Sequence, residues 1–192
     1  PEYHLVAEEG DDTVVIDGRP EKIITDLHYR RTLLQEADVV IKSPGISLYH
    51  PEVQALKRQG VQVTSLLRLW LAEPKTAKVI CVTGTKGKST TSSMLAHALN
   101  GIGQKTVLAG NIGVPITDVS LEGAAYVVVE TSSYQAADVE EKIDVAVVTS
   151  LYEDHVDWHR GVENYHRDKL NLLRHATYKI LSQQAAQRTK AL

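Results

Sequence analysis

Short runs of apolar, mostly β-branched residues alternate with amphipathic segments along this chain. Such runs are typical of buried strands, and they lie at Thr13–Asp17, Val39–Lys42, Val61–Thr64, Val79–Thr83, Lys105–Leu108, Tyr126–Val129, Asp144–Thr149 and Tyr178–Leu181. Helical spacing and capping residues predict helices that end near Ala37 and that cover Pro51–Gln59, Ser65–Leu71, the segment after Thr91 and Val162–Arg174. Strands that alternate with helices favour an α/β fold with parallel sheets.

Two finer predictions follow from the same pattern. The turn Gly18-Arg19-Pro20 should close the first strand. The helix after Thr91 should bury one face that carries Met94, Leu95, Ala98 and Leu99. The polar, proline-containing stretch Glu73–Thr76 predicts a linker, so we expect one α/β unit at residues 1–73 and a second at residues 74–192.

Composition narrows the class of protein. The 192 residues are 43% hydrophobic and 23% charged, and the formal net charge is −3. No long basic run and no membrane-length apolar run occur, so we expect neither nucleic-acid binding nor membrane insertion, and the cytoplasm is the expected compartment. The single cysteine, Cys81, excludes an internal disulfide and should be a small buried residue of its strand.

The stretch Gly84-Thr85-Lys86-Gly87-Lys88-Ser89-Thr90 carries the strongest chemical signal. It follows a strand and precedes a helix, which is the setting of a phosphate-binding loop. Lys88 would reach the outer phosphates of a nucleoside triphosphate, and Ser89 would offer its hydroxyl to Mg²⁺. One departure is Val82, which stands where the general pattern has its first glycine. The alternative is an ordinary strand–turn–helix with a solvated lysine.

Three further strands end in polar clusters, which parallel strands would bring to one edge of the sheet. Glu130 should lie at this edge as a ligand of phosphate-bound Mg²⁺, although a surface glutamate is the alternative. In the last cluster His155 is the preferred ligand, because it is nearest the strand end. Asp157 and His159 are as well suited to supporting that ligand or capping a helix as to binding the metal. Asn111 either contacts a ligand or supports a left-handed turn.

The loop Ser43–Ser47 follows the carboxyl end of a strand, where ligands bind in open α/β sheets. A plain Pro-Gly turn explains it equally well.

Four motifs together resemble those of the Mur ligases, in residue type, order and separation. They are the loop Gly84–Thr90, Gly110-Asn111-Ile112-Gly113, Glu130-Thr131-Ser132-Ser133-Tyr134-Gln135 and Glu153-Asp154-His155-Val156-Asp157. The short glycine loop is the form that this family uses. The loop at Ser43-Pro44-Gly45-Ile46 and the run after Glu130 are similar to the members that add glutamate. The resemblance implies an incomplete Rossmann-like N-terminal domain, which binds a UDP-sugar, followed by a partial P-loop ATPase domain with a mostly parallel sheet.

The resemblance also implies an activity and the groups that perform it. It implies an ATP-dependent amide ligase of peptidoglycan precursor synthesis, which adds glutamate to UDP-N-acetylmuramoyl-L-alanine through an acyl phosphate. Its cofactors would be ATP and two Mg²⁺ ions, held by Ser89, Glu130, His155 and a carbamylated Lys169. Lys88, His155, Lys169 and Asn111 would act in catalysis, and Ser43, Pro44, Gly45, Asn111 and Ser132 would contact the substrate. On the residues alone, Lys169 would be a surface lysine of a helix.

Two departures from the family pattern occur at Ser150, where asparagine is usual, and at Trp158-His159. Ser150 would change one polar contact of the family, and the two departures together leave the choice between D- and L-glutamate open. We expect a monomer that lacks both the start of the first domain and a C-terminal amino-acid-binding domain, and that has no ligase turnover as 192 residues. The other readings are a folylpolyglutamate synthetase and a nucleotide-dependent binding module without ligation.

Overall fold

The computed structural model describes residues 3–7, 13–16 and 19–189, which form an α/β structure. The strands are β1 Leu5–Val6, β2 Thr13–Ile16, β3 Arg19–Ile24, β4 Val39–Ile41, β5 Gln62–Thr64, β6 Lys78–Thr83, β7 Thr106–Gly110, β8 Tyr126–Glu130, β9 Ile143–Val148 and β10 Ala176–Leu181. The helices are α1 Leu27–Glu36, α2 Pro51–Arg58, α3 Leu66–Ala72, α4 Lys88–Gly101, α5 Ser133–Ala136, α6 Val156–His159, α7 Val162–Lys169, α8 Asn171–His175 and α9 Gln183–Thr189. A 3₁₀ turn lies at Ile116–Asp118.

The chain divides into two compact units. The first comprises Pro1–Val40 and Pro51–Val63, and the second comprises Ile41–His50 and Thr64–Leu192. The predicted division at residue 73 into domains with separate ligands stays a prediction.

The first unit contains a small mixed sheet in the order β1-β3-β2. β1 and β3 are parallel, but β2 and β3 are antiparallel. The expectation of a purely parallel sheet is therefore wrong here. Arg19 and Pro20 belong to β3 and pair with Ile16 and Val15, so the predicted turn does not include them. Gly18, and Asp17 at the end of the predicted strand, lie outside the described residues.

A five-stranded parallel sheet in the order β10-β9-β6-β8-β7 organises the second unit. Successive residues of a strand face opposite sides of a sheet. Accordingly, Val79 and Cys81 of β6 pack in one hydrophobic cluster, and Ile80 and Val82 pack in another. The predicted α/β class and the mostly parallel sheet are confirmed. The strands' shared direction brings the residues that follow β6, β7, β8 and β9 to one edge.

Side-chain burial corrects one prediction for the helix after the glycine loop. Leu95 and Leu99 pack against the sheet, but Met94 is 66% exposed and Ala98 is exposed as well. The buried residues of this helix are Ser92 and Ala96.

The predicted helix Val162–Arg174 is interrupted at Leu170 and forms α7 and α8. Cys81 is fully buried, as expected, and burial raises the pKa of its thiol to about 12. Within the described ranges, every helix is too short or too polar to cross a bilayer.

Candidate functional site

The loop between β6 and α4 needs glycine for steric reasons. Gly84 has φ +147°, and a Cβ there would lie 2.0 Å from Thr149 Oγ1 and 2.9 Å from the Ser150 nitrogen. Gly87 precedes the first residue of α4 with φ +84°. Since only glycine adopts such angles without strain, these two positions allow the strand to turn tightly into the helix.

The segment after β9 holds the glycine loop from the side. The Thr85 N–H donates to the Ser150 carbonyl (3.0 Å). The Ser150 hydroxyl accepts from the Lys86 N–H (2.8 Å) and donates to the Lys86 carbonyl (3.0 Å). A serine hydroxyl can do both at once. The serine that departs from the family pattern therefore makes two polar contacts to the loop backbone.

Two lysines converge on one carbonyl oxygen of this loop. Lys88 Nζ and Lys169 Nζ donate to the Gly84 carbonyl at 2.9 Å and 3.1 Å, which limits their separation to about 6 Å. Lys169 is only 2% exposed. The alternative of a surface lysine is therefore wrong. Burial, and then the charge of Lys88, lowers the pKa of Lys169 from 10.5 to about 7, against an opposing effect of Asp154.

Tyr165, which none of the sequence motifs includes, joins α7 to the same loop. Its hydroxyl lies 2.8 Å from Thr85 Oγ1, and its ring centroid is 4.9 Å from Lys169 Nζ. Burial raises the pKa of this hydroxyl to about 12, so it stays protonated. The signal available in the sequence was the spacing of four residues between Tyr165 and Lys169, which places both on one face of a helix.

Glu130 ends β8 beside the glycine loop's strand. It is aligned with Val82 of β6 and with Gly110 of β7, and it is only 4% exposed. The alternative of a surface glutamate is therefore wrong. Within the described part of the chain, its Oε2 atom is buried and has no hydrogen-bond partner. A buried carboxylate oxygen of this kind requires an explanation, and a bound cation is one.

Asn111 lies on the exposed loop after β7, and its N–H donates to the Glu130 carbonyl (3.2 Å). The left-handed angles in this loop belong to Gly110 and Gly113, and Asn111 does not have a positive φ. Asn111 therefore does not supply the left-handed conformation itself. Ser132 follows Glu130 by two positions, and its hydroxyl caps α5 by accepting a hydrogen bond from the Gln135 N–H (3.2 Å).

The Asp154–His159 cluster separates into exposed and buried groups. His155 directly precedes α6 with φ +48°, its side chain is half exposed, and its ring lies 5.0 Å from that of Tyr134. Asp157 is exposed. His159 is fully buried, with Nδ1 2.7 Å from Asp168 Oδ2 and Nε2 3.0 Å from Ser133 Oγ. His159 thus supports the structure from inside, a role that its sequence position did not distinguish from others.

The remaining predicted residues lie at the surface. Ser43, Pro44 and Gly45 are exposed, and Ser89 and Thr90 are exposed in the first turn of α4. In the described ranges, no group of three or more His, Cys, Asp or Glu side chains is arranged to hold a metal ion. The predicted ligand set contains only two residues of those types, Glu130 and His155, and its ligand roles stay predictions.

Comparison with known proteins gives the family. Residues 82–189 match the model of the Mur ligase middle domain. The chain is 49% identical over 142 residues to the UDP-N-acetylmuramoyl-L-alanine--L-glutamate ligase of Salinispora tropica, covering 74% of this chain and 31% of that protein. The enzyme of the same name from Xanthomonas oryzae is 43% identical over 159 residues, covering 78% of this chain and 34% of that protein. The chain thus spans about a third of the length of these relatives.

Among solved structures, the Thermotoga maritima MurF ligase in complex with ADP has a TM-score of 0.52 and 19% identity, over 98% of this chain and 38% of that one. This likeness supports the fold alone. The match to the middle-domain model extends over more than half of the 192 residues. The chain therefore belongs to the Mur ligase family.

Proposed function

We propose that the protein containing this chain is an ATP-dependent ligase that joins L-glutamate to UDP-N-acetylmuramoyl-L-alanine. The names of the relatives from Salinispora tropica and Xanthomonas oryzae support the substrate pair, including the L isomer that the sequence left open. The product would be an amide between the alanyl carboxylate and the glutamate amine.

The convergence of Lys88 and Lys169 on the Gly84 carbonyl is the observation that carries this proposal. Lys88 and the N-terminus of α4 concentrate positive charge at the glycine loop, and Lys169 reaches the same loop from α7. Such a site favours a polyanion such as the triphosphate of ATP. Residues 84–90 would surround the phosphates, with Lys88 Nζ at the outer ones.

Among the described residues, the buried Oε2 atom of Glu130 has no hydrogen-bond partner, and it fits a divalent cation because Mg²⁺ prefers oxygen ligands. Ser89 and Glu130 would hold one Mg²⁺ ion, and His155 and Lys169 would hold the second. When bound, Mg²⁺ neutralises charge on the transferred phosphoryl group.

Lys169 is suited to carbamylation, since only a neutral amine adds CO₂. The amine nitrogen forms a bond to the carbon of CO₂ and releases a proton, which leaves an anionic carbamate. A pKa of about 7 gives Lys169 a substantial neutral population at physiological pH. The carbamate would also remove the repulsion between Lys169 and Lys88, because one of the two charges changes sign.

In the reaction, the alanyl carboxylate attacks the γ-phosphoryl group, and ADP leaves. The glutamate amine then attacks the acyl phosphate, and phosphate leaves as the amide forms. Lys88 would stabilise the charge on the phosphoryl oxygens, and the Asn111 amide and the Ser132 hydroxyl would contact the substrate. The loop at residues 43–45 would bind the UDP-sugar portion. Most of the catalytic effect would come from positioning and charge neutralisation.

The test is phosphate release by the full-length gene product with ATP, Mg²⁺, UDP-N-acetylmuramoyl-L-alanine and either glutamate isomer. We expect release that depends on L-glutamate and that is at least tenfold slower with D-glutamate. Lys88→Ala should abolish it, whereas Lys78→Ala, which changes an exposed lysine at the other end of β6, should not. Equal rates with both isomers would contradict the L specificity, and full activity of K88A would contradict the proposed site.

A further inference from the structure

Trp158, in α6, contacts the loop at residues 43–47, and it lies three positions after His155. The sequence singled it out only as an uncommon continuation of the Asp-His motif. Its contacts, all within the second compact unit, give it a more specific position.

On one side, both the side chain and the backbone of Trp158 form hydrogen bonds with the loop at residues 43–47. The indole Nε1–H lies 3.2 Å from the Pro44 carbonyl and 3.0 Å from the Gly45 carbonyl, and it donates to both. The Ser47 hydroxyl donates to the Trp158 carbonyl (2.5 Å). Three polar contacts therefore join a loop to a residue more than 110 positions further along the chain.

On the other side, the indole packs against the rings of Tyr134, which belongs to the motif after Glu130, and of His159. It stacks on Tyr134 with ring centroids 4.6 Å apart and an interplanar angle of 27°. Tyr134 lies in turn 5.0 Å from the His155 ring. The His159 ring, which is fixed by its own buried hydrogen bonds, is 4.4 Å from the indole. The side chain is thus held in one orientation from which its N–H faces the loop.

The two carbonyl contacts fix the orientation of successive peptide planes. Because the C=O and N–H groups of a trans peptide point in opposite directions, the N–H of Gly45 points away from the indole. A loop held in this way already has one conformation before a ligand binds, which lowers the entropy that the loop loses on binding.

We propose that Trp158 is a positioning residue that holds the loop at residues 43–45 in the conformation that binds the UDP-sugar substrate. This inference rests on the proposed function, because it requires that loop to contact the substrate. It assigns to Trp158 an effect on the UDP-sugar and no direct effect on ATP.

The matched variants are Trp158→Phe and Trp70→Phe, which change the only two tryptophans of the chain. Phenylalanine keeps a ring against Tyr134 and removes the Nε1–H donor. In the full-length gene product, W158F should raise the KM for UDP-N-acetylmuramoyl-L-alanine about tenfold and leave the KM for ATP within about twofold. A tenfold change corresponds to about 1.4 kcal/mol, the scale of one or two neutral hydrogen bonds. W70F should change neither KM.

A UDP-sugar KM in W158F that equals that of W70F would overturn the proposal. An equal rise in both KM values would also overturn it, because it would indicate general damage to the ATPase motifs.

Hydrogen exchange of the 43–50 segment supplies a readout that needs no substrate. W158F should speed its exchange about tenfold relative to W70F. If the wild-type protein does not use the UDP-sugar, the proposed function fails while this measurement still tests the contact. Unchanged exchange in W158F would overturn the positioning role by itself.

Discussion

Replacement of His159 tests the buried contacts that join three helices of the site. His159 ends α6, Ser133 begins α5, and Asp168 lies next to Lys169 in α7. The Asp168 carboxylate also accepts from the Tyr49 hydroxyl at 2.8 Å and 2.9 Å. His159→Ala removes the imidazole and leaves both Ser133 and Asp168 without this partner.

The expected loss is about 3–5 kcal/mol of the free energy of unfolding. A buried carboxylate or hydroxyl that loses its partner costs roughly 1–3 kcal/mol each, and the cavity left by a large side chain adds to this. His159→Asn should lose less than alanine does, because the asparagine amide can still donate to Asp168 from the position of Nδ1. His97→Ala, at an exposed position of α4, should change the unfolding free energy by no more than about 0.5 kcal/mol.

Urea unfolding followed by tryptophan fluorescence is the assay. The Trp158 ring lies 4.4 Å from His159, so part of the emission comes from a ring beside the substituted residue. A loss below about 1 kcal/mol for H159A, or an asparagine variant less stable than the alanine variant, would refute the reasoning.

Two other variants test the glycine loop and the buried amine. Gly84→Ala places a Cβ 2.0 Å from Thr149 Oγ1 and should weaken ATP binding at least tenfold by calorimetry. The control is Gly101→Ala, where a Cβ meets no atom within 4 Å, and this variant should bind ATP normally. Equal ATP affinities of the two variants would contradict the steric argument. Lys169→Met, without ATP, Mg²⁺ or CO₂, should be more stable than wild type at pH 7 by up to roughly 5 kcal/mol, since the native state disfavours the buried charge. Between pH 7 and 10.5 the unfolded wild type binds more protons than the native state, so its stability should rise with pH and the difference should shrink; a pH-independent difference in urea unfolding would exclude the lowered pKa of Lys169 as its cause.

The inner strands β6, β8 and β9 of the central sheet could be predicted because each is a run of mostly apolar residues that the sheet buries. The predicted strands also placed Glu130 beside the glycine loop, because the carboxyl ends of parallel strands meet at the same edge of a sheet. The buried face of a helix was harder to predict. Met94, a large apolar residue, is exposed, whereas the small residues Ser92 and Ala96 are buried.

Contacts between residues that lie far apart in the sequence could not be predicted. Nothing in the local pattern around Lys169 indicates that its amine meets the Gly84 carbonyl 85 residues away. The same holds for the contact between Ser47 and Trp158. The antiparallel pairing of Arg19 and Pro20 was missed because Gly-x-Pro is typical of turns, and here the sheet pairing prevailed over that preference.

The central claim is that Glu130 acts with the glycine loop to bind a complex of Mg²⁺ and ATP. Its most direct test is calorimetric titration of ATP into wild type, Glu130→Gln and, as control, Glu163→Gln, an exposed position of α7, each with and without Mg²⁺. Mg²⁺ should tighten ATP binding at least tenfold in wild type and in E163Q, and it should have little effect in E130Q. The same enhancement by Mg²⁺ in E130Q as in wild type would contradict the account.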